Sequence, residues 1–393
     1  MEEIYIVAGV RTAIGDFGGA LKSLLPSQLG AIVVKDVLAR AGVAASDVGH
    51  VVMGQVMPTS ARDGMLSRTI ALEAGIPSEV PALTLNRLCG SGVQTIVSAA
   101  QMMKLGEAGI TVAGGAESMS NVPYHDHGTR WGRKMGDNPV EDALTVGLQD
   151  ASGGYHMGVT AENCAARYGI SREDQDALAL EGHQRAVHAI ADGRFKDQIV
   201  PVEIKTRKGI TRFDTDEHPR ADASLAALTA MRPAFQKDGT VTAGNASGIN
   251  DGAAAVLLAT AGEVERRGLQ PMARIVAWGH AGVDPAYMGE GPIKAVPVAL
   301  QRAGLTLEQM DVIEANEAFA AQALSVAKTL GFDRKKLNPN GSGIALGHPV
   351  GATGTILTVK AIYELQRIGG RYALITMCIG GGQGIALIVE NMG

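Results

Sequence analysis

Apolar residues gather in short runs rich in Val and Ile: IYIVAGV (4–10), HVVMGQV (50–56), ITVAGGA (110–116), AAAVLLAT (253–260), ARIVAWG (273–279), DVIEANEAF (311–319), YALITMCIG (372–380) and GIALIVEN (384–391). Runs this short and this apolar predict strands covered on both faces, and they alternate with stretches whose apolar residues recur at helical spacing. The pattern predicts an α/β protein with a mixed, mostly covered sheet. Ser27 precedes one helix, with Leu29, Ile32, Val33, Val37 and Leu38 on its apolar face and Gly42 closing it; Ser171 with Asp174 opens another that runs to Gly193.

The pattern also repeats. VLARAGVAASDVGHVVMG (37–54) and ALQRAGLTLEQMDVIEAN (299–316) share a helix, an RAG stop, a spacer and a strand, with Gly42 and Gly304 an offset of 262 residues apart. A Gly-rich corner leading into an apolar helix follows each copy (CGSGVQTIVSAAQMM, then GHPVGATGTILTVKAIYEL), and then a strand ending in glycines (ITVAGGAES, then LITMCIGGGQG). Two similar halves are predicted: residues 1–118 with 250–270, and residues 271–393. Between them, residues 119–249 turn to Met, His, Arg and Asp and read as an inserted loop domain, and long insertions are commonly functional.

Composition narrows the function classes. The 393 residues include 51 glycines, about 13% of the chain against a usual ~7%. Such an excess without a period suits close backbone packing. A net charge of −5 with both signs dispersed offers no basic stripe for nucleic acid and no polybasic membrane anchor. The start, MEEIYIVAGV, lacks a basic n-region, and no apolar run reaches the ~20 residues of a membrane span, so a cytoplasmic protein is expected. Cys89, Cys164 and Cys378 show no zinc spacing and read as reduced thiols.

Four residues with chemistry stand at the predicted corners: Cys89 in NRLCGSG, Asn316 in EANEAFA, His348 in GIALGHPVGATG and Cys378 in TMCIGGGQG. Singly, each has a plain reading, as a buried cysteine, a helix cap or a tight turn. Together, two thiols, an imidazole, an amide donor and a row of glycine amides make an acyl-transfer set. A thiol before a helix N-terminus has a reason for a lowered pKa.

At these residues the sequence resembles the thiolase family, in its biosynthetic, acetyl-CoA acetyltransferase branch. The blocks VRTAIGDFGGALK, NRLCGSG, AGGAESMS, YHMGVTAEN, GRFKDQIVPV, GTVTAGNASGINDGAAA, VIEANEAFA, NPNGSGIALGHPVGATG and TMCIGGGQGIALI spread the resemblance over essentially the whole chain. It implies a five-layer α-β-α-β-α fold of two similar halves with an inserted loop domain, a homotetramer built as a dimer of dimers, and no metal or other cofactor. Acetyl-CoA, acetoacetyl-CoA and CoA would be its substrates and products, with neither nucleic acid nor membrane as partner.

By the same resemblance Cys89 is the acyl-accepting nucleophile and His348 takes its proton. With a water held by Asn316, His348 also donates to the thioester oxygen of the second substrate. Cys378 removes that substrate's α-proton, and the amides of Cys89 and Gly380 hold the oxyanion. The resemblance places Leu148, His156 and Met157 near the pantetheine and acyl pocket, and Arg220 near the nucleotide phosphates. It sets Phe235, Ala243 and Ser247 along the pantetheine arm, with Met288, Ala318 and Phe319 closing the pocket. Met157, Phe235 and Met288 equally suit core packing. Ala227 stands where relatives often carry a serine, and Cys164 reads as packing. His125 and His127 hint at metal, but relatives use this segment in subunit contacts, and no third ligand stands nearby.

A degradative 3-ketoacyl-CoA thiolase of broader chain length would use the same four residues; YHMGVTAEN and AYMGEGP favour the short-chain branch. A non-catalytic or thiol-redox protein of the same fold would need neither His348 nor Asn316.

Overall fold

The computed structural model describes residues 2–207 and 209–393. Nine main strands form a continuous path. The first half contributes β1 (Ile4–Thr12), β2 (His50–Gly54), β3 (Ala82–Leu85), β4 (Ile110–Ser118) and β5 (Asn250–Thr260), ordered β3-β2-β4-β5-β1. The second contributes β6 (Ala273–Gly282), β7 (Val312–Ala315), β8 (Tyr372–Ile379) and β9 (Gln383–Asn391), ordered β7-β8-β9-β6. Among the described residues, only the pairs Tyr5↔Arg274 and Ile6↔Ala273 join the two sets. In each half the repeat's strand runs parallel to its glycine-ended neighbour (β2 with β4, β7 with β8), and the remaining pairs on that side are antiparallel. The short β3, at the sheet edge, has no counterpart in the second half among the described residues.

Helices build three layers around these sheets. The outer face of the first half is covered by α1 (Pro26–Ala41) and α2 (Leu66–Glu73), whose Leu29, Val33, Leu66 and Ile70 share a core with Val51 and Val112. The outer face of the second is covered by α6 (Gly291–Ala303) and α7 (Ala320–Leu330), through Val296 and Val326 against Ile313 and Leu374. Between the sheets lie α3 (Ser91–Lys104) and α8 (Thr353–Ile368), whose Ile96, Val97, Leu357 and Ile362 meet both sets of strands in one buried cluster. The result is the five-layer α-β-α-β-α arrangement.

The 262-residue offset persists in three dimensions. Gly42 and Gly304 both end their helices in the left-handed conformation, at φ 62° and 66°. The first residues of α3 and α8, Ser91 and Thr353, keep the offset, and so do Ile110 and Tyr372, the first residues of β4 and β8. Gly92 and Gly354 keep it too, and there the two central helices touch: a Cβ on Gly92 would lie 2.5 Å from the Thr355 nitrogen, and one on Gly354 2.4 Å from that of Val93. Backbone therefore meets backbone at the first turns of both helices. That contact brings the loops entering α3 and α8 together.

The 119–249 segment leaves the end of β4 and returns as β5. It carries a small hairpin (Tyr124–His125 with Glu141–Asp142), α4 (Met157–Tyr168), α5 (Arg172–Ala191) and a second hairpin (Val202–Thr206 with Gly209–Phe213). Arg11 of β1 grips it through a fully buried pair with Asp216 at 2.7 Å. In α5 the Ser171 hydroxyl accepts from the Asp174 amide at 3.1 Å, the expected cap. The start of α1 differs from the sequence reading: Leu25 is the cap, Pro26 fills the first position, and Gln28 reaches back to the Leu25 N–H at 2.9 Å. Proline has no N–H to satisfy there, so the helix starts one residue before Ser27.

Candidate active site

Cys89 sits one residue before Gly90, the cap of α3, at the corner where the chain turns out of β3. Leu88 just before it adopts φ 46°, a conformation costing a non-glycine residue on the order of 1 kcal/mol. Side chains hold that turn. Ser91 Oγ accepts from the Arg87 amide at 2.8 Å and donates to the Leu88 carbonyl at 2.7 Å, while Asn86 Oδ1 accepts from the Leu88 amide at 2.8 Å.

The sequence suggested a lowered thiol pKa at this corner. The structure reverses it: burial pushes the Cys89 thiol up, outweighing the opposing hydrogen bonds from the Gly380 and Cys89 amides. Those amides nevertheless converge on the sulfur. Cys89 therefore rests as a thiol.

His348 follows Gly347, whose φ of 101° and contact with the Asn250 amide group admit no side chain. Asn250 Oδ1 accepts from the His348 amide at 2.9 Å. On the ring, Nδ1 lies 2.6 Å from Thr353 Oγ1, and that hydroxyl donates to the Pro349 carbonyl at 2.9 Å. Since the Thr353 proton is committed, Nδ1 must carry the imidazole proton and Nε2 the lone pair. Burial lowers the His348 pKa from 6.5 to about 4, so the ring is neutral near pH 7. Nε2 lies 3.2 Å from Asn316 Nδ2, and the buried Asn316 Oδ1 has no partner among the described residues. That oxygen is free to accept from a water.

Cys378, near the end of β8, is fully buried beside Met288, Ala318 and Phe319. Burial pushes its thiol well above the ordinary value, and the neighbouring Cys89 and Cys164 push it the same way. Cys164 is itself buried and pushed up to about 12, in keeping with packing.

A cavity of about 540 Å³ opens over Cys89, His348 and Gly380. Leu148, His156, Met157, Met288, Ala318 and Phe319 line it, as do Arg220, Phe235, Ala243 and Ser247. Asn316 and Cys378 stand behind its wall, not on it. The His156 ring stacks on Phe235 at 4.7 Å, and Phe235 meets Phe319 edge-on at 5.8 Å. His156 also caps α4, its Nδ1 accepting from the Gly158 amide at 3.0 Å, and burial holds its pKa down. Arg220 is exposed at the cavity and makes no ion pair among the described residues, leaving its charge for an anion. Ala227 is exposed and off the cavity wall.

Sequence reading missed the residues that hold these groups. Thr353 fixes the imidazole tautomer and Asn250 fixes its backbone. Glu117, buried behind the site, accepts from the Val56, Met57 and Gly351 amides at 2.9, 3.1 and 2.8 Å, tying the His348 loop to the first half. Burial raises Glu117 to about 8. The acidic residue in AGGAES was a visible signal, since a carboxylate in an otherwise apolar strand requires partners.

Comparison with known proteins agrees with this geometry. The family model for the thiolase N-terminal domain matches residues 4–262, and that for the thiolase C-terminal domain matches residues 269–391. The chain is 59% identical over 391 residues to the beta-ketothiolase BktB of Cupriavidus necator, covering 99% of each chain. It is 49% identical over 393 residues to an acetyl-CoA acetyltransferase of Pseudomonas aeruginosa, covering 100% of each. The crystal structure of the Bacillus anthracis acetyl-CoA acetyltransferase superposes with a TM-score of 0.98 at 45% identity, covering 100% of this chain and 99% of that one. Two halves related by one offset, with the thiols and imidazole gathered where their central helices touch, are thus the architecture of a known family: the chain belongs to the thiolases.

Proposed function

We propose that the protein is an acetyl-CoA C-acetyltransferase, catalysing reversible Claisen condensation of two acetyl-CoA molecules to acetoacetyl-CoA and CoA through an acyl-enzyme on Cys89. The observation that carries this reading is the meeting of the Cys89 sulfur, the Cys89 and Gly380 amides and the neutral His348 at one cavity. The relatives' names support the substrate class, and the acetyltransferase reading is favoured over the degradative one.

Proton bookkeeping orders the steps. His348 Nε2 takes the Cys89 proton as sulfur attacks the thioester carbon, and the amides of Cys89 and Gly380 receive the oxyanion. Burial opposes both the lone thiolate and the lone imidazolium, so this transfer is favourable only when a carbonyl arrives to carry the negative charge onto the amides. As the tetrahedral adduct collapses, the CoA thiolate leaves with the Cys378 proton. Cys378 is then a thiolate, and its burial makes it a strong base. It removes the α-proton of the second acetyl-CoA, while the imidazolium of His348 and a water on Asn316 stabilise the enolate oxygen. The carbanion attacks the acetyl carbon on Cys89; acetoacetyl-CoA departs, and the Cys89 thiolate recovers its proton from His348. Every group returns to its starting state, so the reading requires no metal or other cofactor, with CoA as substrate and product.

Met157 and Met288 on the acyl side suit short chains, with His156, Phe235, Ala243 and Ser247 along the pantetheine arm and Arg220 toward the CoA phosphates. Free thiols at 89 and 378 suit a reducing, cytoplasmic compartment. No helix among the described residues is long and apolar enough to cross a membrane. A homotetramer of two tight dimers is part of the proposal, supported by the edge strand β3 and by Trp131 and Met135, which stand 86% and 94% exposed on the 119–249 segment. Sedimentation at micromolar concentration tests it, and a stable monomer would overturn it. For activity, the test is decay of the magnesium–acetoacetyl-CoA enolate absorbance on adding CoA. Prompt decay, fastest for the four-carbon substrate in a chain-length series, is expected; no decay, or a preference for long chains, would refute the reading.

A further inference from the structure

We propose that His125, His127 and Glu141 form a surface site for a divalent transition metal of the zinc type, one that staples the base of the projecting 126–140 loop and takes no part in acyl transfer. Sequence alone offered two histidines and no third ligand. The hairpin supplies it. Glu141 is the direct cross-strand partner of His125, and the chain bends just beyond that strand to bring His127 against the same carboxylate. His127 Nε2 lies 3.0 Å from Glu141 Oε2, the two imidazoles stand edge to face at 6.0 Å, and the three ligand atoms fall within 4.8 Å of one another.

Asp126, between the histidines, points elsewhere. Its carboxylate accepts from the Thr129 hydroxyl, from the Gly128 and Thr129 amides at 2.8 and 3.0 Å, and from Asn138 at 2.6 Å. Those bonds keep it turned into its own loop. His125 has no hydrogen-bond partner among the described residues, so its ring nitrogens are free to bind.

Two imidazoles and one carboxylate suit zinc, cobalt or nickel, whereas magnesium and calcium favour oxygen ligands throughout. Bonds of about 2.0–2.2 Å in tetrahedral geometry would set ligand atoms about 3.3 Å apart, with a water completing the set. Closing from at most 4.8 Å requires only rotation of exposed side chains. The consequence follows from the hairpin's size: among the described residues Tyr124↔Asp142 and His125↔Glu141 are its two pairs, and so short a ladder is marginal in water. An ion across its open end would order the loop that carries Trp131 and Met135.

Cobalt(II) chloride titrated into the full-length protein tests this, since cobalt reports its ligands by visible absorbance. One saturable ion per chain is expected, with a nitrogen and oxygen spectrum lacking a thiolate charge-transfer band. Affinity should fall at least ~10-fold in His127→Ala and in Glu141→Gln, given that even outer-shell partners of a metal are worth ~10–100-fold. It should be unchanged in Cys89→Ser. Zinc chloride should slow amide exchange across residues 126–140 in the wild type and leave it unchanged in His127→Ala. Equal affinity in His127→Ala, loss of binding in Cys89→Ser, or no saturable uptake would overturn the proposal.

Discussion

Replacing Thr353 by valine keeps the shape of the side chain and removes one oxygen, the atom that holds the proton on His348 Nδ1. In the buried site that N–H then has no acceptor, at a cost of about 1–3 kcal/mol. The other tautomer escapes the penalty, because Asn316 can turn its unpartnered oxygen to accept from a proton on Nε2. In that tautomer the ring cannot take the Cys89 proton. A bias of about 1–3 kcal/mol reduces the competent tautomer by roughly 5- to 150-fold, so kcat/KM for thiolysis should fall by about that factor while the fold persists. Stopped-flow thiolysis of acetoacetyl-CoA measures the loss, and rapid-quench mass spectrometry of Cys89 acetylation assigns it to the first step. Thr353→Ser retains the hydroxyl and should recover most of the rate. Wild-type acetylation in Thr353→Val, or a Thr353→Ser variant as slow as the valine, would refute the tautomer argument.

Gly158→Ala would set a Cβ 2.2 Å from the Phe235 ring, and the forced shift should raise KM for CoA with a stability loss of about 1–3 kcal/mol, read by thiolysis kinetics and urea unfolding. Arg220→Ala should raise KM for CoA by about two- to fivefold and leave kcat unchanged, the scale of an exposed charge worth up to about 1 kcal/mol; an equal effect on dephospho-CoA would show that the 3′-phosphate is not its partner. The neutral His348 makes an acid prediction: between about pH 6.5 and 4 the unfolded chain binds a proton that the folded ring refuses, so this group makes stability fall as pH falls through that window. Urea midpoints at pH 7 and pH 4.5 should show the wild type losing about 2–3 kcal/mol more than His348→Asn, and an equal loss in both would contradict the burial argument.

Much of the fold was legible because its signals are local and occur twice. The glycine that stops a helix and the strand after it recur at one offset, and that offset also positions Gly92 against Gly354. The edge strand β3 escaped notice because ALTL is short and carries a polar residue. The cap of α1 was misplaced because a serine signal competed with a proline that fits the first helical position. The candidate nucleophile, base and second thiol were visible as unusual residues at Gly-rich corners. Their supports were not, since Asn250 reaches His348 across 98 residues and Glu117 reaches Gly351 across 234. The ionisation of Cys89 was misjudged for a related reason: the helix terminus is visible in sequence, but the burial that outweighs it is created only when distant segments pack around the corner. Glu141 was hidden because a hairpin with two residue pairs leaves no periodic pattern to read.

The division of labour between the two thiols is tested most directly by mixing each cysteine variant briefly with acetyl-CoA and weighing the protein. Cys378→Ala should still gain one acetyl group on Cys89, with condensation and acetoacetyl-CoA cleavage lower by orders of magnitude, because no second group can take a carbon-bound proton. Cys89→Ala should gain none and should catalyse neither reaction. A Cys378→Ala protein that condenses at the normal rate, or one whose Cys89 is never acetylated, would contradict the assignment of acyl transfer to one sulfur and proton transfer to the other.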